Sequence, residues 1–285
     1  MIGALWQDRG HPPMRSPGRV ATVAILLTLH GAALRADEVS APVIAFFERY
    51  VAASEARMRR DRAGQHLLWL DSQAPTRRAV LERRLRRGDV VAESLHESDG
   101  GRPPPWADAV FLHAVAIVFV PGATSDTVVA MLQDYDRHAD LFRPTIRRSR
   151  VIGHGTDTTI VAGQFAHRKV VTIVYNAEVE ARCERLPPRQ ADCRSVSRRG
   201  AMVADAGLPT EREKGFRGDA AKQWFLRSYY RVEERDGGTY VEHETLFVCP
   251  PLPRLVRVFS PLVRDVPAEV SQAMLAAMRT RLGGG

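Results

Sequence analysis

The sequence is poor in lysine and in long apolar segments. Only three of its 41 basic residues are lysine, a bias towards arginine that is typical of a GC-rich genome. The apolar run near the start, residues 20–29, is about half the ~20 residues that a membrane-spanning helix needs. The sequence therefore predicts no transmembrane helix. Its composition, with 45% hydrophobic and 26% charged residues, is typical of a globular protein.

Motifs for several kinds of chemistry are also missing. There is no Gly-x-Ser-x-Gly nucleophile motif and no phosphate-binding loop, which argues against common hydrolases and nucleotide-binding proteins. The three cysteines have no zinc-type spacing. Asp134 and His138 are four residues apart, as two metal ligands on one helix would be, but no third ligand is evident. We predict neither a metal nor a cofactor.

Arginine is concentrated in three short clusters, residues 57–62, 77–87 and 147–150. A nucleic-acid-binding surface usually places aromatic residues among such arginines, and these clusters contain none. We therefore predict solvated helix faces, with contact to an anionic membrane surface as a further function, and no nucleic-acid partner.

The first 36 residues have the order of a secretory signal peptide, which is basic, then apolar, then small residues. We predict Met14 as the start and cleavage after Ala36 or Ala33, with an uncleaved anchor as the alternative. Residues 1–36 carry four Arg and one Asp, a net charge of +3, so the remainder carries +5 of the total +8. The expectation is a periplasmic or secreted monomer.

Two of the cysteines fit an oxidising compartment. Cys183 and Cys193 lie symmetrically about Pro188, between two segments with strand-like content. If those segments pair antiparallel, the two cysteines face each other within the distance that a disulfide requires. We predict this disulfide and expect Cys249 to be a small buried residue.

The chain divides into two parts at a segment rich in turn-forming residues, 97–105. Residues 37–100 contain two segments with helical spacing, and we assign them to a small helical N-terminal region. Residues 101–285 contain a long strand, two short helices, a run of antiparallel strands and a C-terminal helix. Strands separated from helices in this way predict an α+β domain.

This order resembles the START-like, or polyketide-cyclase-like, superfamily, also called SRPBCC, whose fold is the helix grip. The resemblance covers residues 107–283 and depends on the opening segment "VFVPGATSDTVVAMLQDYDRHADLF" and the closing segment "FSPLVRDVPAEVSQAMLAAMRTRL". It implies a curved antiparallel sheet wrapped around the C-terminal helix, with an apolar cavity between them. It also implies a hydrophobic ligand such as a lipid, and it transfers no catalytic residue.

The hairpin at residues 224–247 decides which side chains would face that cavity. The loop of this hairpin lies within residues 236–238 and contains two or three residues. A two-residue loop places His243 on the apolar face and directs Glu242 and Glu244 to solvent, whereas a three-residue loop turns the two glutamates inward. We favour the first register because it keeps the carboxylates in water. The predicted ligand-binding residues are Ile173, Tyr175, Trp224, Leu226, Tyr230, His243, Phe247, Met274 and Met278.

Three functions remain open at this point. The first is binding or carriage of a hydrophobic, lipid-like molecule without catalysis, entering near the loops 207–219 and 249–263. The second is a cyclase or aromatase in which His243, Tyr230 or the pair Glu242 and Glu244 moves protons. The third is a protein-interaction module that uses the N-terminal helices.

Overall fold

The computed structural model describes residues 39–95, 109–168, 172–213, 224–249 and 265–283. The predicted signal peptide and the predicted linker both lie outside these residues, and the predicted domain boundary falls between the first two ranges. Within the described residues, no helix is long and apolar enough to cross a membrane.

Two helices precede the sheet, as predicted. Helix α1 has Pro42 in its first turn, and its buried residues Val43, Phe47, Tyr50 and Val51 recur at helical spacing. Helix α2 ends at Gly88, whose φ of 108° is the left-handed conformation that glycine adopts most easily. A 3₁₀ turn joins the two helices. The bounds are α1 Ala41–Ala63, the 3₁₀ turn Trp69–Ser72, and α2 Pro75–Arg87.

The strands form an antiparallel sheet in the order β1-β2-β9-β8-β6-β5-β4-β3, and β7 pairs with β6 beside this path. Three helices and a second 3₁₀ turn, Tyr135–Arg137, complete the described elements. The strands are β1 Val91–Ser94, β2 Val110–Pro121, β3 Ile146–His154, β4 Thr159–Arg168, β5 Thr172–Leu186, β6 Gln190–Ala204, β7 Arg212–Glu213, β8 Phe225–Arg235 and β9 Gly238–Cys249. The helices are α3 Ser125–Gln133, α4 His138–Leu141 and α5 Val266–Leu282.

The C-terminal helix α5 packs on one face of the sheet, here called the inner face. Leu275 and Met278 of this helix are fully buried against Val118 and Val120 of β2. The arrangement of an antiparallel sheet, separate helices and a C-terminal helix packed on the inner face is the α+β, helix-grip fold that the element order predicted.

The opposite face, here called the outer face, is covered by the N-terminal helices. Phe47 of α1 packs with Phe225 and Leu246 of the sheet, and Leu85 of α2 packs with Ile117. Strand β2 is therefore buried on both faces, which explains why its sequence is continuously apolar instead of alternating.

The hairpin of β8 and β9 has the favoured register. Tyr230 pairs with His243 and Arg231 with Glu242, which leaves Asp236 and Gly237 as a two-residue loop. However, the expectation that Glu242 and Glu244 lie in water is wrong. Both are 0% exposed, because α1 and the 3₁₀ turn cover the outer face to which they point.

Candidate functional site

A cavity of about 190 Å³ lies between the inner face and helix α5. Residues from β3, at one edge of the sheet, and from β2, near the other, line the same space. Since neighbouring strands are about 4.8 Å apart, a flat sheet would hold these two strands too far apart to border one small cavity. The sheet therefore curves around it.

The structure places eight of the nine predicted ligand-binding residues along this cavity. Met278 differs, because it is fully buried in the core on the far side of Met274 along α5 and is not part of the lining. The eight lining residues are Ile173, Tyr175, Trp224, Leu226, Tyr230, His243, Phe247 and Met274.

A row of aromatic rings crosses the sheet along the cavity wall. The Phe165 and Tyr175 rings stack with centroids 5.2 Å apart, and Tyr175 stacks on Trp224 at 4.8 Å. Trp224 then meets Phe247 edge-on at 5.0 Å. Offset stacking and edge contacts are the favoured aromatic geometries, so the row is a stable and largely apolar wall.

Glycine makes room for one ring of this row. A Cβ atom at Gly200 would lie 2.9 Å from the Cβ of Trp224, closer than real side chains approach. The absence of a side chain at this strand position therefore allows Trp224 to lie against β6.

His243 provides a polar point within the apolar wall. Its ring is stacked on Tyr230, with centroids 4.1 Å apart and planes at 2°. Its Nε2 atom is 2.8 Å from Ser228 Oγ and 3.1 Å from Thr245 Oγ1. Burial lowers the pKa of His243 to about 3, although the charge of Glu244 acts in the opposite direction. Burial also raises the pKa of Tyr230. Both rings are therefore neutral near pH 7.

Three hydroxyl residues of this wall were not among the predicted site residues. Ser195, Ser228 and Thr245 lie opposite one another on β6, β8 and β9 and all line the cavity. For Ser228 and Thr245, the alternation of side chains along the hairpin predicts a position on the inner face. Ser195 required the pairing of β6 with β8, which connects distant parts of the sequence.

A network of buried charges occupies the outer face, separated from the cavity by the sheet. Glu244 accepts hydrogen bonds from Arg57, at 2.5 Å, and from Arg231. His113 Nε2 donates to the same carboxylate at 2.9 Å, and Tyr50 lies 2.9 Å from His113 Nδ1. Burial would raise the pKa of Glu244, but Arg231 and His113 outweigh it and hold this pKa well below its usual range.

Glu242 is the second carboxylate of this network. It accepts a hydrogen bond of 2.6 Å from the backbone N–H of Trp69, and its Oε1 atom is 2.5 Å from Arg231. Burial raises the pKa of Glu242 to about 7, against the opposing effect of Arg231. The two glutamates connect the N-terminal helices to the sheet and cannot reach the cavity.

The remaining sequence candidates make structural contacts in the described residues, and His138 also borders the cavity. His138 Nε2 lies 3.1 Å from the carbonyl oxygen of Leu132, and among the described residues no group of three metal-ligating side chains occurs. Cys183 and Cys193 are paired across β5 and β6 with their Cα atoms 4.0 Å apart and their sulfurs bonded. Cys249 is a buried free thiol beside the cavity. The loop predicted at 249–263 lies outside the described residues, apart from Cys249.

No family model and no curated protein matches this chain. Its fold is similar to that of several solved structures. A STAR-related lipid transfer protein from Xanthomonas axonopodis has 13% identity and a TM-score of 0.43, covering 63% of this chain and 96% of its own. The lipid transfer and protein localization domain of human StarD13 has 10% identity and a TM-score of 0.43, covering 75% and 99%.

The aromatase/cyclase Zhui from a Streptomyces species has 15% identity and a TM-score of 0.36, covering 62% of this chain and 99% of its own. At these identities the likeness is one of fold, and it assigns neither a ligand nor a reaction.

Proposed function

We propose that this protein binds a small hydrophobic molecule in the cavity of its inner face and carries it without chemical change. The observation that carries the proposal is the unfilled space itself. Protein interiors are close-packed and rarely contain voids larger than a water molecule. Here about 190 Å³ remains in a partly open space between large apolar side chains of the sheet and α5.

The size of the cavity limits the ligand. An engineered apolar cavity of about 150 Å³ takes up benzene, whereas pockets for drug-sized ligands occupy about 300–1,000 Å³. A cavity of about 190 Å³ therefore fits one or two rings or a short acyl chain. A larger lipid would have to displace side chains or extend beyond the described cavity. Transfer of the ligand out of water supplies the affinity, at about 25 cal/mol per Å² of apolar surface buried.

The chemistry of the wall favours carriage over catalysis. A general base works best with a pKa near the operating pH, and the pKa of His243 is about 3. Tyr230, whose pKa is raised, retains its proton. Glu242 and Glu244, the other candidates for proton transfer, lie on the outer face.

Two neighbouring tryptophan substitutions test the proposal. Ile173→Trp adds bulk to the cavity wall, whereas Thr172→Trp places the same side chain at the exposed neighbour on the outer face. Native mass spectrometry of protein from its own host should detect an apolar molecule with the wild type and with Thr172→Trp, and much less with Ile173→Trp. If nothing co-purifies with the wild type and no member of a broad panel of apolar compounds binds it, the proposal is wrong.

A further inference from the structure

The cavity wall contains more hydrogen-bond donors than it can pair. Ser195, Ser228 and Thr245 form a row across three adjacent strands on the inner face. Ser228 and Thr245 are each 8% exposed. Each hydroxyl has one hydrogen to donate. The acceptor near this row among the described residues is His243 Nε2, which contacts both Ser228 and Thr245.

Nε2 cannot accept from both hydroxyls with full strength, since a neutral imidazole nitrogen has one lone pair in the ring plane. If Nε2 instead carries the ring hydrogen, it accepts from neither. In both tautomers at least one of these two hydroxyls retains a hydrogen to donate. Ser195 adds another, because no partner for its side chain occurs among the described residues. Ser195 is half-buried and the other two hydroxyls are buried, so a hydrogen that none of them donates within the protein would stabilise an acceptor bound in the cavity.

The surroundings of the row select against a charged acceptor. Arg194 also borders the cavity, but it alternates along β6 with Ser195, so its strand position belongs to the outer face together with its pairing partners Arg182 and Tyr229. His167, also in the lining, lies 3.1 Å from Glu269. An anion at the row would lose its hydration without gaining an unpaired cation on the inner face of the described residues.

We propose that the ligand of this cavity is a ring compound with a neutral oxygen acceptor, a carbonyl or ether oxygen, that binds to the row of Ser195, Ser228 and Thr245. Its apolar rings lie against the aromatic row of Phe165, Tyr175, Trp224 and Phe247. The inference depends on the proposed function, because it specifies the class of molecule that the same cavity takes.

The test compares two probes of nearly equal shape, tetralin and 1-tetralone, by isothermal titration calorimetry. They differ in one ketone oxygen, which accepts hydrogen bonds and cannot donate them. The ratio of the two dissociation constants is measured for the wild type and for a variant. Because the probes in solution are the same in both experiments, a change in this ratio comes from the protein. The variant is Ser195→Ala/Ser228→Ala/Thr245→Val, in which the hydroxyls are removed and the apolar volume is largely kept.

The ratio Kd(tetralin)/Kd(1-tetralone) should fall about tenfold in the triple variant, as expected for loss of one to two hydrogen bonds. Met274→Leu, which changes the wall at α5 and leaves the hydroxyls in place, should change both dissociation constants together and leave the ratio unaltered. If the triple variant does not fold, Thr245→Val alone should lower the ratio about threefold.

The outcomes separate the two proposals. If both probes bind and the ratio is the same in wild type and variants, the hydroxyl row does not select the ligand and the inference is wrong, while the cavity retains its proposed function. If neither probe binds the wild type, the inference is wrong, and the proposed function fails with it only if nothing co-purifies and the broad panel of apolar compounds does not bind either.

Discussion

Adjacent residues of β9 have opposite effects on the pH dependence of stability. Glu242 points to the outer face and His243 to the cavity. Burial raises the pKa of Glu242 from 4.5 to about 7, so its contribution is fully present below pH 4.5 and is lost as the pH rises through 7. Burial lowers the pKa of His243 from 6.5 to about 3, so its contribution is present above pH 6.5 and is lost as the pH falls through 3.

Between pH 4.5 and 6.5 the two contributions have slopes of opposite sign, each about 1.4 kcal/mol per pH unit. In the wild type they largely cancel. Glu242→Gln should leave the slope of His243, so that the free energy of unfolding rises with pH by about 1.4 kcal/mol per unit more than in the wild type. His243→Phe should leave the slope of Glu242 and produce a fall of the same size.

Urea denaturation at several pH values across this window measures these slopes directly. Both substitutions also remove hydrogen bonds and therefore change the free energy of unfolding at every pH. The test is therefore the slope of this free energy against pH and not its absolute value. His154→Gln, at an exposed histidine, is the control and should follow the wild-type profile. Parallel profiles for the wild type and both variants would refute the assignment of opposite burial effects to these neighbours.

Two further predictions concern the outer face and the disulfide. Glu244→Gln should lower the free energy of unfolding by about 3–5 kcal/mol in urea denaturation, because it leaves the buried Arg231 and the partly buried Arg57 without their shared carboxylate; a loss below 1 kcal/mol would contradict the network. We also expect export, so that Cys183 and Cys193 of protein isolated under alkylating conditions should be unlabelled until a reductant is added. Labelling of both without reductant would contradict an oxidising compartment.

The sequence allowed the inner face to be predicted because alternation and turn chemistry are local. The two-residue loop at Asp236 and Gly237 set the register of β8 and β9, and this register placed Tyr230 and His243 on one face. The helix-grip order likewise followed from the sequence of strands and helices. Helical spacing places Met278 on the same side of α5 as Met274 and so predicts it in the cavity. This spacing does not indicate at which turn of α5 the cavity ends, and the structure has Met278 beyond that point.

The outer face could not be predicted by the same means. Arg231, Glu242 and Glu244 alternate with apolar residues, which is typical of a strand with one solvated face. Their burial depends on α1, whose Arg57 is 187 residues before Glu244. Buried polar residues whose hydrogen-bond partners lie far away in the sequence have the same alternating pattern as polar residues that face water.

The alternation of β9 has a consequence for how this protein can diverge. Odd-numbered positions from 241 to 249 face the cavity or the α5 core, and even-numbered positions carry either the ion network or the contacts to the N-terminal helices. Every position of β9 is buried except Phe247, which is half-buried beside the cavity, so a side chain exchanged here is not accommodated simply by solvent. Changes of ligand preference should therefore arise more readily on β5 than on β9, because Thr172 is exposed and Asn176 is partly exposed beside the cavity residues Ile173 and Tyr175, although Val174 between them is buried.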